Sequence, residues 1–110
     1  MQFMVTDQGD GIAVVHIMGR LNMVTAPRLR EVVAASVAAG QNRVAVDLSD
    51  VDFIDSSGLG ALIGGLKVTR QAGGDLRIAA PSEQVRLVLQ LTNMERVLTA
   101  YPAASSAFHG

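Results

Sequence analysis

Val51-Asp52-Phe53-Ile54-Asp55-Ser56-Ser57-Gly58-Leu59-Gly60 combines signals that rarely coincide. Apolar residues lead into it, and a carboxylate and two hydroxyls stand side by side at its centre. Glycines follow at once, and Leu59, Leu62, Ile63 and Leu66 then fall on one helical stripe. The expected local structure is a strand, a loop and the start of a helix with serine at the cap. A helix N-terminus carries unpaired backbone N–H groups and partial positive charge, so an exposed serine there is a favourable position for a phosphate. The stretch predicts a point of regulation, with the rest of the chain as the scaffold that presents it.

Upstream, residues 2 to 6 alternate with Phe3 and Val5 on one face, which predicts a short strand. Gln8-Gly9-Asp10-Gly11 is a hairpin turn, and the β-branched run Ile12 to Met18 is an inner strand ended by Gly19. His16 lies in that strand beside no other histidine except His109 in the tail, and reads as an ordinary sheet-face residue. Thr25-Ala26-Pro27 opens a helix whose stripe is Leu29, Val32, Val33 and Val37, with Gly40 as its stop. Arg43 to Leu48 alternates again, with Val44, Val46 and Leu48 on the buried side.

Downstream, Gly73-Gly74 ends the second helix and Leu76 and Ile78 belong to a fourth strand. Pro81-Ser82-Glu83 opens a third helix carrying Val85, Val88 and Leu89. Val97 to Leu98 is read as a short last strand, and a weak helix is expected beyond Pro102. The predicted order β-β-α-β-α-β-α-β is an α/β domain: a mixed β-sheet with right-handed βαβ crossovers and helices packed against it, in one domain over residues 1–110.

The 110 residues are 49% hydrophobic and 17% charged, a globular composition with ample material for a core. The absence of cysteine excludes disulfides, thiolate metal sites and thiol catalysis. A net charge of -1 provides no broad basic surface for nucleic acid. No run approaches the roughly eighteen apolar residues of a membrane span, and the N-terminus lacks the pattern of a signal peptide, so a cytoplasmic protein is expected.

Asp47, Asp50, Asp52 and Asp55 lie in the window from Val44 to Leu66, which contains no Lys or Arg, so the field around the serines is expected to be negative. Those carboxylates are open to three readings: a magnesium site at strand ends, turn and capping residues, or a charged recognition surface. Nucleophilic catalysis by serine fits poorly, because no histidine stands at motif spacing and the glycine two residues before the nucleophile of an elbow is missing. No Lys follows the glycines as in a P-loop. Gly58, Gly60, Gly64 and Gly65 all fall inside the predicted helix, each at a cost of up to about 1 kcal/mol relative to Ala. Glycines on an exposed first turn would let another protein's backbone approach closely, which favours a contact surface.

Val46-Asp47-Leu48-Ser49 followed by Phe53-Ile54-Asp55-Ser56-Ser57-Gly58-Leu59-Gly60 resembles the STAS domain of bacterial anti-sigma factor antagonists. The resemblance extends to Gly19-Arg20-Leu21-Asn22, Thr25-Ala26-Pro27-Arg28-Leu29-Arg30, Ala72-Gly73-Gly74-Asp75-Leu76-Arg77-Ile78 and Pro81-Ser82-Glu83-Gln84-Val85. It implies a binding protein that is not an enzyme, with no cofactor or metal of its own. By this resemblance the unphosphorylated form binds an anti-sigma factor that is also a GHKL-type ATPase and serine kinase, freeing a sigma factor. Phosphorylation of Ser56, the first serine of the pair, ends binding, and a PP2C-type phosphatase restores it. The implied partner-binding residues are Asn22, Asp55, Ser56, Ser57, Gly58, Leu59 and Gly60. The family commonly has Gly-Glu-Leu-Asp where this chain has Gly19-Arg20-Leu21-Asn22, which alters the charge presented to a partner. STAS domains also serve as non-catalytic subunits of lipid-transport ABC complexes and in larger signalling assemblies, the alternative use of the same fold.

Overall fold

In a computed structural model describing residues 2–108, the chain forms β1 (Gln2–Gly9), β2 (Ile12–Leu21), α1 (Ala26–Ala38), β3 (Arg43–Ile54), α2 (Ser56–Gln71), β4 (Asp75–Ala79), α3 (Glu83–Leu91) and β5 (Ala100–Tyr101). Short 3-10 turns cover Met94–Arg96 and Ala104–Ser106. His109 lies outside the described residues. The sheet runs β1-β2-β3-β4-β5, antiparallel between β1 and β2 and parallel thereafter, so β2-α1-β3 and β3-α2-β4 are the expected crossover units. At the hairpin, Gly9, Asp10 and Gly11 all take positive φ (88°, 57° and 73°), a conformation that explains the two glycines there.

β3 is the centre of the sheet and does not follow the simple alternation expected of it. Val44, Ala45 and Val46 are all buried, because a parallel strand inside a sheet is covered on both faces. The strand also continues past Leu48 to Ile54, with Leu48, Val51 and Ile54 buried at intervals of three. Register shifts against β2 between His16 and Met18 and between Gly19 and Arg20 supply the change of phase. β2 likewise passes through Gly19, at φ 100°, and ends at Leu21. These extensions carry both strands to the point where Leu21 and Ile54 pair, directly before the Asp-Ser-Ser segment.

The core is one apolar cluster joining Val15, Ile17 and Leu21 of β2 to Leu29 and Val33 of α1, Leu59, Leu62 and Leu66 of α2, and Val85 and Leu89 of α3. α1 and α2 pack side by side. Three peripheral expectations differ from the structure. Val5 is 50% exposed on the edge strand β1, which leaves only Phe3 partly buried against the core. The last strand is Ala100–Tyr101, while Leu98 is a fully buried plug before it. Beyond Pro102 the chain makes a 3-10 turn, held by Arg77 donating to the Ala107 carbonyl at 2.7 Å, with the Arg77 guanidinium 4.6 Å from the Phe108 ring centroid.

Candidate functional site

The cap of α2 is Asp55, and Ser56 is the first residue of the helix, which corrects the assignment of serine to the cap. Asp55 has extended backbone (φ -113°, ψ -174°), and its Oδ1 accepts from the Gly58 N–H at 2.9 Å. Its Oδ2 accepts from the Met23 N–H at 3.2 Å, and its own N–H donates to the Leu21 carbonyl at 3.3 Å. One side chain therefore ties the start of α2 to the loop between β2 and α1. With the carboxylate at the cap, both serine hydroxyls are free of hydrogen bonds among the described residues. Ser56 is exposed and Ser57 half-buried.

Asn22 belongs to the same loop, but its amide oxygen turns inward. It accepts from the Val24 N–H at 3.0 Å and the Thr25 N–H at 3.3 Å, while Thr25 Oγ1 donates to the Arg20 carbonyl at 2.8 Å. Asn22 thus shapes the loop whether or not a partner touches it. Between Asn22 and Thr25 the loop holds out Met23, 72% exposed, and Val24, 80% exposed. Sequence reasoning missed this pair, although two apolar residues outside every helical or strand stripe were a usable signal. Phe53, on β3 opposite Arg20, is also 37% exposed, with the Arg20 guanidinium 5.5 Å from its ring centroid.

The glycine-rich turn is not the open contact surface expected. A Cβ on Gly58 would strike the Leu21 carbonyl oxygen and lie 2.9 Å from both the carbonyl carbon and Cγ of Leu21. A Cβ on Gly65 would lie 2.8 Å from Leu76 Cδ1. Both glycines let α2 settle on the sheet. Gly58 and Leu59, expected to face a partner, are buried in the domain itself. Gly60 and Gly64 are half-buried beneath Arg30 of α1: a Cβ would lie 3.7 Å from Nη2 at Gly60 and 3.2 Å from Nη1 at Gly64.

The four carboxylates of the window are dispersed. Asp47 Oδ1 accepts from the Ser49 N–H and hydroxyl at 2.9 and 2.7 Å, Asp50 pairs with His16 Nε2 at 2.7 Å, Asp55 caps α2, and Asp52 is exposed. Among the described residues no group of three or more His, Asp or Glu side chains converges as metal ligands would. The negative field expected from the local sequence is also answered across space, by Arg20 over Phe53 and Arg30 over Gly60 and Gly64.

A family model for the STAS domain matches residues 3–107. The anti-sigma-B factor antagonist of Bacillus subtilis is 30% identical over 84 residues, 76% of this chain and 76% of that protein. The chain belongs to the STAS-domain anti-sigma factor antagonist family. A Thermotoga maritima protein named as a candidate anti-sigma factor antagonist is 40% identical over 68 residues, and this match spans 62% of the chain and only 60% of that relative's length. In three dimensions the agreement is longer. The crystal structure of a candidate anti-sigma factor antagonist from Thermotoga maritima aligns with a TM-score of 0.86 at 31% identity, over 96% of this chain and 90% of that one. Within the described residues of this STAS domain, no helix is long and apolar enough to cross a membrane.

Proposed function

We propose that this STAS domain binds an anti-sigma factor through the surface around Ser56, Met23 and Val24, and that phosphorylation of Ser56 switches binding off. The observation that carries the reading is the Ser56 hydroxyl itself: exposed, free of hydrogen bonds among the described residues, and on the first turn of α2 beside two exposed apolar side chains. Such a surface docks by burying Met23 and Val24. A phosphate on Ser56 adds about -1.5 to -2 charges at its edge, which must then be desolvated or excluded. The helix N-terminus stabilises that same charge within the fold, so the penalty falls on docking.

The chemistry is performed on the STAS domain by its partner. The anti-sigma factor, a GHKL-type serine kinase, transfers the γ-phosphoryl of Mg-ATP to Ser56 Oγ. The O–P bond to serine forms as the bond to ADP breaks, and the hydroxyl proton passes to a base on the kinase. A PP2C-type phosphatase hydrolyses the phosphoserine and restores binding. Among the described residues no group hydrogen-bonds the Ser56 hydroxyl, so the reading assigns the base to the kinase. These partners place its work in the cytoplasm. Arg20 and Asn22, where the family commonly carries acids, bear on which anti-sigma factor is chosen.

Intact-mass analysis after incubation with the cognate kinase and ATP tests the switch. One phosphate is expected on the wild type and none on Ser56→Ala. Ser56→Ala binds the anti-sigma factor constitutively, and Ser56→Asp binds on the order of 100-fold more weakly, the scale of a like-charge or desolvated-charge penalty. Equal affinities for the two variants would refute the mechanism. Failure to accept phosphate together with co-purification with a transporter ATPase would assign the domain to transport complexes instead.

A further inference from the structure

Like Arg20 over the Phe53 ring, Arg30 is a cation near the site without an ion pair among the described residues, and it is the one that lies on α2. It is exposed, and within the described residues it enters no ion pair and no side-chain hydrogen bond, whereas its neighbour on the same helix, Arg28, reaches Glu31 at 3.9 Å. Its guanidinium lies lengthwise on α2, with Nη1 over Gly64 and Nη2 over Gly60, at 3.2 and 3.7 Å from where Cβ atoms would stand. Residues 64, 60 and 56 succeed one another along a single row of that helix, roughly 5–6 Å apart per turn. Nη2 is thus the end of the guanidinium nearer Ser56, and the absence of side chains at Gly60 and Gly64 leaves the row clear.

We infer that Arg30 is the built-in counter-ion of the phosphorylated state. Resting on the reading that Ser56 is phosphorylated, this adds a residue on a different helix that responds to the modification. The phosphate extends the Ser56 side chain towards the row, and the guanidinium shifts one turn to meet it with charge-assisted hydrogen bonds. No existing ion pair has to break for this to happen. The pair joins α1 to the start of α2 and shields the phosphate, so the phosphorylated form is more stable and is dephosphorylated more slowly than it would be without Arg30. Asp55, the carboxylate at the cap, is already engaged by the Gly58 and Met23 N–H groups and opposes the phosphate equally in every variant compared below.

The test incorporates phosphoserine at position 56 by chemical or translational means, so that no kinase is needed, and follows the phosphorus-31 resonance through the second ionisation. A nearby cation favours the dianion, so the second pKa of the phosphate, near 6 in isolation, is lower in the wild type than in Arg30→Gln. The difference expected of a solvent-exposed pair is about half a unit. Arg30→Lys restores part of it, since it keeps the charge and loses the fork. Phosphorylation raises the melting temperature of the wild type more than that of Arg30→Gln, and the unphosphorylated proteins melt alike. Identical second pKa values in wild type and Arg30→Gln overturn the inference, even if the kinase modifies Ser56. A kinase that ignores Ser56 overturns the proposed function and leaves the titration result standing.

Discussion

Substituting alanine at Gly58 and at Gly60, two positions on the same turn of α2, is expected to change stability in opposite directions. At Gly58 the new methyl group collides with the carbonyl of Leu21, a residue with 0% exposure whose oxygen also accepts from the Asp55 N–H. Backbone cannot turn aside as a side chain can, so α2 must lift at its N-terminus. Overpacking of this kind costs about 1–3 kcal/mol. Lifting the turn also strains the 2.9 Å bond from the Gly58 N–H to Asp55, a cap worth about 1 kcal/mol. Against this stands a gain of up to about 1 kcal/mol in helix propensity. The net loss is about 1–3 kcal/mol, or roughly 4–12 °C in melting temperature for a domain of this size. At Gly60 the methyl meets only the Arg30 guanidinium at 3.7 Å, an ordinary contact, so the propensity gain survives and stability rises by up to about 1 kcal/mol. Urea unfolding followed by far-ultraviolet circular dichroism reads both values. A Gly58→Ala variant as stable as wild type, or a Gly60→Ala variant equally destabilised, would refute the account and return Gly58 to the open surface.

Val24→Glu places a charge on the exposed loop and is expected to weaken anti-sigma factor binding at least about tenfold while changing stability by less than about 0.5 kcal/mol. Calorimetric titration and thermal melts check the two halves, and a lower melting temperature with unchanged affinity would show the loop to be structural only. Asn22→Ala removes the acceptor of the Val24 and Thr25 N–H groups and should cost about 1 kcal/mol, whereas Asn22→Asp keeps an acceptor and stays within about 0.5 kcal/mol of wild type. Equal stability of the alanine and aspartate variants would count against a loop-shaping role.

Much of the architecture was legible because apolar period survives wherever an element has one buried face. Leu59, Leu62 and Leu66, or Val85 and Leu89, mark their helices and are buried as the stripes predict. Period fails where an element is covered on both sides or shifts phase, which is why β3 was read as ending at Leu48 although it reaches Ile54. The position of Ser56 at the start of α2 was legible too, but the cap was not. Asp and Ser both suit that role, and only the folded chain shows the Asp55 carboxylate reaching Gly58 and Met23 together. The fit of Gly58 against Leu21 was not legible, because Leu21 is remote in sequence and no local pattern reports a close approach between backbones. Ser56 was preferred to Ser57 by resemblance alone. In the structure Ser56 is exposed and Ser57 half-buried.

The two-handed grip of Asp55 bears on the thermodynamics of recognition. A docking site made from two independent loops would lose conformational freedom in both when a partner arrives, and ordering each side chain and loop subtracts from affinity. Here one carboxylate holds the Met23 N–H and the Gly58 N–H together before any partner is present. The backbone that carries Met23, Val24 and Ser56 is therefore joined during folding, before any partner arrives. Under the proposed function, less ordering is then left for the encounter with the anti-sigma factor, and a phosphate on Ser56 falls at the edge of a surface already assembled.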